Sequence, residues 1–232
     1  MKQIEITTTI KKKMLADIYT PVGIYLRVRD RFRDTILLES TDNHAAENSY
    51  SFIGINAIAG IEITDTGSIE YKFPGEQPER VSITNTKAVP DEVWKFMKHF
   101  SIVNATSTGN SMEDAAVKFA QGLYGYTTYD AVQFFDSVTL SANGQRSPEN
   151  HIPLMRYRLY QYVIAINHFK DELYLCENKM AGVSSEVQIV ESLIKSKDVP
   201  VYPFAVKGVE TSNITNQHGL GPGGGDVHAA QR

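Results

Sequence analysis

The order of strand-like and helix-like runs constrains the fold of this chain more than any other feature of its sequence. A long apolar run rich in isoleucine spans Ser51 to Ile63, and two strand-like runs, Leu159 to Asn167 and Glu172 to Cys176, flank the turn-forming segment 168–171. Strand runs and helix runs follow one another without the regular strand-helix-strand repeat of a doubly wound parallel sheet. The order therefore predicts an α+β fold in which antiparallel β-sheets pack against helices.

Shorter runs complete the amino-terminal part of the pattern. Apolar residues at helical spacing predict a short helix near residues 11–19, and Thr20-Pro21-Val22-Gly23 is expected to end it. The β-branched and aromatic run from Ile24 to Val28 predicts a strand. Further strands are predicted at residues 35–38, 69–73 and 80–83.

Helices are predicted later in the chain. A segment that opens at Pro90 has apolar residues at helical spacing, among them Trp94, which is therefore expected in the core. Ser111 and Asp114 resemble a capping box that would start the next helix. The last helix is predicted at residues 185–196, with Val187, Val190 and Ile194 facing inward.

Charge and cysteine content exclude several classes of function. The formal charge is −4 with a pI near 5.9, and the one dense cationic run, residues 11–13, reads as a solvated edge, so no nucleic-acid partner is expected. The single cysteine, Cys176, excludes an internal disulfide and is expected to be a small buried residue. The sequence shows neither a signal peptide nor a membrane-spanning run, and we expect a cytoplasmic protein that does not bind membranes.

The usual catalytic signatures are missing. The glycine-rich segment 219–225 lacks the preceding strand and the following Lys-Ser/Thr of a phosphate-binding loop. The six histidines show no zinc-binding spacing, and no Gly-x-Ser-x-Gly sequence marks a nucleophile. We therefore expect no metal site and no catalytic residue in this chain.

One polar pair could bind a small molecule. Glu39 and Ser40 directly follow the apolar end of a predicted strand, where a carboxylate could pair with the ammonium group of an amino acid and a hydroxyl could add one hydrogen bond. The residue types alone favour another interpretation, in which Glu39 is solvated and Ser40 starts a turn with Asp42 and Asn43.

Five segments, taken together, resemble the amino-terminal domain of anthranilate synthase component I. They occur in the order and spacing of that family, and the resemblance runs from about residue 14 to residue 213. One of them, Gly122 to Val132, is similar to the family's Gly-x-x-Gly-Tyr-x-x-Tyr-Asp segment. The segments are Thr20 to Leu26, Leu37 to Ser40, Ser49 to Gly54, Gly122 to Val132 and Tyr162 to His168.

The resemblance implies a regulatory role. In that family the Leu-Leu-Glu-Ser element contributes to a tryptophan feedback pocket, which assigns L-tryptophan binding to Glu39 and Ser40, with Leu38 and Tyr50 as weaker members. By resemblance, the full enzyme is a lyase that converts chorismate and ammonia from a glutamine amidotransferase subunit into anthranilate and pyruvate for tryptophan biosynthesis. A separate carboxyl-terminal domain of that family binds chorismate and Mg²⁺, so the resemblance implies no cofactor in this domain and no activity of the domain alone.

The resemblance also predicts the domain organisation. Residues 1–208 are expected to form the amino-terminal regulatory domain, and residues 209–232 a linker or disordered tail, because that segment is polar and rich in glycine. Only residues 214–232 follow Asn213, so the carboxyl-terminal chorismate-binding domain is expected to be absent.

The chain departs from the family's sequence pattern at two places. Two other functions also remain as alternatives. Asn48-Ser49 stands where the family commonly has Gly-Arg, and Asn167-His168 replaces the commoner Asp-His. The chain also resembles the equivalent domain of aminodeoxychorismate synthase component I, in which bound tryptophan is structural. A third interpretation is a scaffold that docks the amidotransferase or a second large subunit.

Overall fold

The structure, a computed structural model, describes residues 3–40, 49–103, 109–138 and 152–198. The predicted boundary at residue 208 and the tail 209–232 lie outside these residues, as does the glycine run 219–225. Two short 3-10 helices occur at Thr86–Ala88 and Tyr129–Phe134. The other elements are β1 (Ile4–Leu15), α1 (Pro21–Arg29), β2 (Ile36–Leu38), β3 (Tyr50–Asp65), β4 (Ser68–Lys72), β5 (Glu79–Ser82), α2 (Val89–Met97), β6 (Phe100–Ile102), α3 (Ser111–Ala120), β7 (Tyr124–Thr127), β8 (Met155–Asn167), β9 (Glu172–Lys179) and α4 (Val187–Lys195).

The described strands form one nine-stranded sheet. Its main order is β5-β4-β3-β8-β9-β1-β6, while β2 pairs with β3 and β7 pairs with β8. The pair β1–β6 is parallel, and the other described pairs are antiparallel. The α+β prediction is therefore confirmed, with a single mixed sheet in place of several antiparallel ones.

The predicted hairpin of β8 and β9 lies at the centre of this sheet. Its turn is organised by Asn167, whose Oδ1 accepts hydrogen bonds from the backbone N–H groups of Phe169 and Lys170 at 2.9 and 3.0 Å. Asp171 completes the turn in the left-handed region with φ 51°. Both strands are almost wholly buried, as their continuous apolar character predicts.

The predicted helix at 11–19 and strand at 24–28 are both wrong. Residues 4–15 form β1, which pairs with β9 over most of its length. Pro21 begins a helix instead of ending one, because Thr20 is its N-cap and the Thr20 hydroxyl accepts a hydrogen bond from Gly23 N at 3.0 Å. Proline in the first turn leaves no intrahelical hydrogen bond unmade, so Thr-Pro is a start signal for a helix.

The prediction that Trp94 lies in the core is also wrong. α2 buries Val89 and Phe96, and Val93 packs beside them, whereas Trp94 is 55% exposed. Residues 89, 93 and 96 lie on one helical face, and Trp94 lies one position away from it. The exposed indole is next to Lys98, whose Nζ is 5.3 Å from the ring centroid.

The predicted capping box of α3 is one residue out of place. Asn110 is the N-cap, and its Oδ1 accepts hydrogen bonds from the N–H groups of Met112 and Glu113. Asparagine is among the strongest N-cap residues, and its Nδ2 also reaches the Glu113 carboxylate at 3.4 Å. α4, by contrast, matches its prediction, since Val190 and Ile194 are fully buried.

The helices pack against the sheet in three apolar clusters. α1 and α4 cover the carboxyl-terminal half of β8, and α2 covers its amino-terminal half and the end of β3. α3 supplies Ala116 and Ala120 to a cluster with Tyr160, Tyr174 and Cys176. A bulge between Ala57 and Ala59 shifts the register of β3 against β8, which puts Gly60 opposite Arg158 and Glu62 opposite Arg156.

Candidate functional site

The four residues predicted to bind tryptophan lie at one end of the β2–β3 ladder. Leu38 is the last residue of β2, is half-buried and pairs with Phe52. Glu39 and Ser40 come directly after it and are exposed. Tyr50 begins β3, two residues before Phe52. Residues 41–48, which connect the two strands and include Asn48, lie outside the described residues.

Tyr50 is held in place by polar and aromatic contacts. Its hydroxyl accepts a hydrogen bond from Asn167 Nδ2 at 2.9 Å. Its ring stacks on Phe52 at a centroid distance of 5.9 Å and lies 5.1 Å from Phe119 of α3. Phe52 also lies 5.8 Å from Tyr124. This end of the β2–β3 ladder therefore carries a fixed aromatic cluster on β3, and the exposed residues Glu39 and Ser40 directly follow β2.

The departure Asn167-His168 has a structural role. Asn167 is fully buried and joins the hairpin turn to Tyr50, while His168 Nε2 lies 2.7 Å from Ser51 Oγ. The backbone N–H of His168 also donates to Ser49 O at 3.0 Å. Both residues therefore tie the β8–β9 turn to the start of β3, immediately beside Tyr50.

Two cavities lie elsewhere on the domain, and neither is lined by the four predicted residues. The larger, of about 670 Å³, lies between the start of β1, the segment 73–76 and the end of β9, with His99 and Lys179 among its lining residues. The smaller, of about 230 Å³, lies between the start of β2, β7 and the first half of β8. Tryptophan contact by Leu38, Glu39, Ser40 and Tyr50 stays a prediction.

Three charged residues that line the smaller cavity, Asp34, Arg156 and Arg158, belong to a network of ion pairs that the sequence prediction missed. Arg156 Nη2 lies 2.7 Å from Asp34 Oδ1, and Arg158 Nη2 lies 2.6 Å from Glu62 Oε2. Arg156 Nε reaches the same Glu62 oxygen at 3.4 Å, and Lys72 Nζ lies 3.9 Å from Asp34 Oδ2. The signal in the sequence was the pair Arg156 and Arg158 at alternate positions of β8, because residues two apart in a strand lie on the same face of the sheet.

The remaining reactive side chains offer little chemistry. Cys176 is fully buried, as predicted, and burial raises the pKa of its thiol to about 12. Within the described ranges, no group of three or more His, Cys, Asp or Glu residues is arranged to hold a metal ion. No helix in the described part of the chain is long and apolar enough to cross a membrane.

Comparison with known proteins identifies relatives of one kind. No family model matches the chain. It is 21% identical over 183 residues to "Anthranilate synthase component 1" of Lactococcus lactis subsp. lactis, a match that covers 78% of this chain and 35% of that protein. The protein of the same name from Methanothermobacter thermautotrophicus is 26% identical over 183 residues, which are 78% of this chain and 34% of that protein. A third, from Aquifex aeolicus, is 27% identical over 167 residues, or 69% of this chain and 28% of that protein.

The chain spans about a third of the length of the curated relatives it matches. The similarity covers most of the described domain, and it agrees with the family that the five sequence segments indicate. The predicted resemblance is therefore confirmed: the chain is related to one part of anthranilate synthase component 1.

Proposed function

We propose that this chain is the tryptophan-sensing part of an anthranilate synthase component I. The observation that carries the proposal is the similarity of 78% of the chain to about a third of two proteins of that name. The parent protein is proposed to be a lyase that converts chorismate and glutamine-derived ammonia into anthranilate and pyruvate. Its chorismate and Mg²⁺ sites are assigned to a separate carboxyl-terminal domain, and its ammonia to a glutamine amidotransferase subunit. The described domain alone is expected to be inactive.

In this proposal, tryptophan binds at the end of the β2–β3 ladder. Its ammonium group pairs with the Glu39 carboxylate, and Ser40 adds a hydrogen bond. Its indole packs on Leu38 and on the ring of Tyr50, which the aromatic cluster and the Asn167 hydrogen bond hold in one orientation. Support comes from the exposure of Glu39 and Ser40 beside a half-buried apolar surface.

Tryptophan would inhibit the parent enzyme by selecting one arrangement of its domains. A ligand shifts an equilibrium only as far as it binds one state more tightly than the other. Residues outside this domain are therefore expected to complete the pocket in the inactive arrangement, and the chain alone is expected to bind tryptophan weakly.

Calorimetric titration of L-tryptophan into the full-length parent protein tests this proposal. We expect Glu39→Ala and Ser40→Ala each to weaken binding, Glu39→Ala by roughly tenfold because a charge-assisted hydrogen bond is lost. The matched control is Glu79→Ala, which removes an exposed carboxylate from the edge strand β5. Affinity that is unchanged in both site variants would contradict the assignment.

A scaffold role is a second candidate, favoured by the exposed apolar face of α2. Trp94 and Met97 are 55% and 43% exposed on adjacent turns. Because Trp94 is the only tryptophan, its fluorescence reports directly on that face. We expect a blue shift on mixing with the amidotransferase subunit if α2 docks it, and an unchanged spectrum would remove this candidate.

The equivalent domain of aminodeoxychorismate synthase component I remains an alternative within the same resemblance. The names of the five relatives, all anthranilate synthase component 1, favour the first assignment. Inhibition of the intact parent enzyme by tryptophan distinguishes the two, because structural tryptophan would not inhibit.

A further inference from the structure

The smaller cavity combines aromatic rings with arginine side chains in a space of about 230 Å³. Ligand pockets for drug-sized molecules are typically about 300–1,000 Å³, so this cavity suits a smaller compound. Part of its wall comes from the segment Gly122 to Val132, whose Tyr124 also contacts Phe52. The side chains that carry the inference are Tyr124, Tyr126, Tyr160, Arg156 and Arg158.

The charges around the cavity do not balance. Arg156, Arg158 and Lys72 are three cations, and the carboxylates that pair with them are Asp34 and Glu62. Glu62 Oε2 is shared between both arginines, and Asp34 is shared between Arg156 and Lys72. One positive charge is therefore left over at a half-enclosed site, which favours binding of an anion.

Arg158 also has an unused hydrogen-bond donor. Its residue is 7% exposed, and its Nε–H has no acceptor among the described residues. A buried donor without a partner is costly, and native structures rarely leave one unless a water or a ligand supplies the acceptor. Arg158 lines the cavity, but its Nε atom has almost no accessible surface, so a ligand oxygen reaches this N–H only when the side chain shifts.

Two glycines of β3 make room for these side chains. A Cβ at Gly60 would come within 2.5 Å of Arg158 Cδ, and a Cβ at Gly54 within 2.6 Å of Tyr160 Cδ2. Arg158 and Tyr160 therefore lie against bare backbone, in the volume that a larger residue on β3 would occupy. Glycine at these two positions of β3 therefore leaves room for the side chains of Arg158 and Tyr160.

We propose that this cavity binds a small planar aromatic carboxylate. The carboxylate pairs with Arg156 and accepts from Arg158, a planar geometry that arginine recognises well, and the ring lies among the three tyrosines. Asp34, with φ 52° in the loop before β2, is the internal carboxylate with which the ligand competes for Arg156. This site is separate from Leu38 to Ser40, and the inference does not rest on the proposed function.

The first test uses benzoate as the probe and benzamide as its neutral control. Benzoate is titrated into the full chain while the arginine Nε–H groups are followed by NMR. We expect a saturable shift of the Arg158 Nε–H signal with benzoate and none with benzamide. Equal responses to both compounds, or no saturable shift with benzoate, would overturn the proposal.

Two substitutions with opposite expected effects complete the test. Arg156→Gln is expected to weaken benzoate binding by about tenfold, because one charge-assisted pair is lost. Asp34→Asn is expected to tighten it by about fivefold, because it removes the competing carboxylate, and asparagine tolerates the left-handed backbone at this position.

General damage to the fold would weaken binding in both variants, so tighter binding in Asp34→Asn distinguishes a site from a loss of structure. Arg80→Gln, which breaks the exposed pair with Glu70 on the β4–β5 edge, is the matched control and is expected to change nothing. Binding weakened by Asp34→Asn, or unchanged by Arg156→Gln, would refute the assignment.

Discussion

Two groups of charges are buried in this domain, and they are built differently. Glu177 of β9 is fully buried and has one charged partner within the described residues, Lys11 Nζ at 2.9 Å. Its Oε1 has no hydrogen-bond donor in the described part of the chain. The network around the small cavity instead shares each carboxylate between two cations.

The two groups differ in the ion pairs that remain after one charged side chain is removed. A buried ion that loses its only partner keeps its desolvation cost without compensation, which is strongly destabilising. When Glu62 is lost from the network, Arg156 keeps Asp34 as a partner, whereas Arg158, which is 7% exposed, keeps no carboxylate among the described residues. The isolated pair is therefore expected to contribute mainly to stability, whereas the network can exchange partners and admit a ligand.

The largest expected effect is that of Lys11→Met. It leaves the Glu177 carboxylate buried and unpaired, and we expect the free energy of unfolding to fall by about 3 kcal/mol in urea titrations. The matched control is Lys13→Met, two residues along β1, where Lys13 of the pair with Glu172 is exposed and its loss is expected to change stability little. Equal effects of the two substitutions would show that Glu177 does not depend on Lys11.

A smaller effect is expected for Glu62→Gln in the network. Arg158 loses the one carboxylate that pairs with it among the described residues, but Arg156 keeps Asp34, and we expect a loss of about 2 kcal/mol by the same measurement. Glu70→Gln on β4 is the control, because its pair with Arg80 is exposed. A loss greater than that of Lys11→Met would reverse the comparison.

The isolated pair should also be visible in the pH dependence of stability. The hydrogen bond to Glu177 raises the pKa of Lys11 above its ordinary value of 10.5. A group whose pKa is raised on folding stabilises fully below its unfolded pKa, and this contribution is lost as the pH rises through the folded value. The stability difference between the wild type and Lys11→Met should therefore shrink as the pH rises above 10.5. A difference that grew with pH would contradict the pairing.

The smallest signal is the reactivity of Cys176, which neighbours Glu177 on β9. Burial raises the pKa of the thiol to about 12, so alkylation of the folded protein by iodoacetamide should be very slow. Lys11→Met should accelerate it in proportion to the population that unfolds, and Lys13→Met should not. Rapid alkylation of the wild-type protein would show that the Cys176 thiol is exposed to solvent in the folded state.

Prediction from the sequence succeeded for elements whose apolar residues form a clear local pattern. β3 and the second half of β8 are apolar runs, β9 begins with an alternating stretch after a turn-forming segment, and α4 has a regular apolar stripe, so local patterns identified these elements. It failed in residues 11–28. The helical spacing of a few apolar side chains predicted a helix where the end of β1 lies, and a strand was predicted within α1.

The two candidate sites likewise differ in whether their residues are adjacent in the sequence. Leu38 to Ser40 was found as a motif because its residues are adjacent in sequence. The network around the small cavity was missed because Asp34, Glu62 and Arg156 come from three distant segments, which the β3–β8 register and the loop before β2 bring together. Lone charged residues in three separate runs carry no local signal of this kind.

The sequence by itself determined the fold class, the central hairpin and the family resemblance, because each depends on patterns within short or ordered segments. The tertiary structure alone decided that residues 4–15 are a strand, since β1 exists through its ladder with β9, about 165 residues away in sequence. Intrinsic propensities differ by less than about 1 kcal/mol per residue, so a long ladder with buried side chains overrides them. The same long-range pairing brings Lys11 to Glu177.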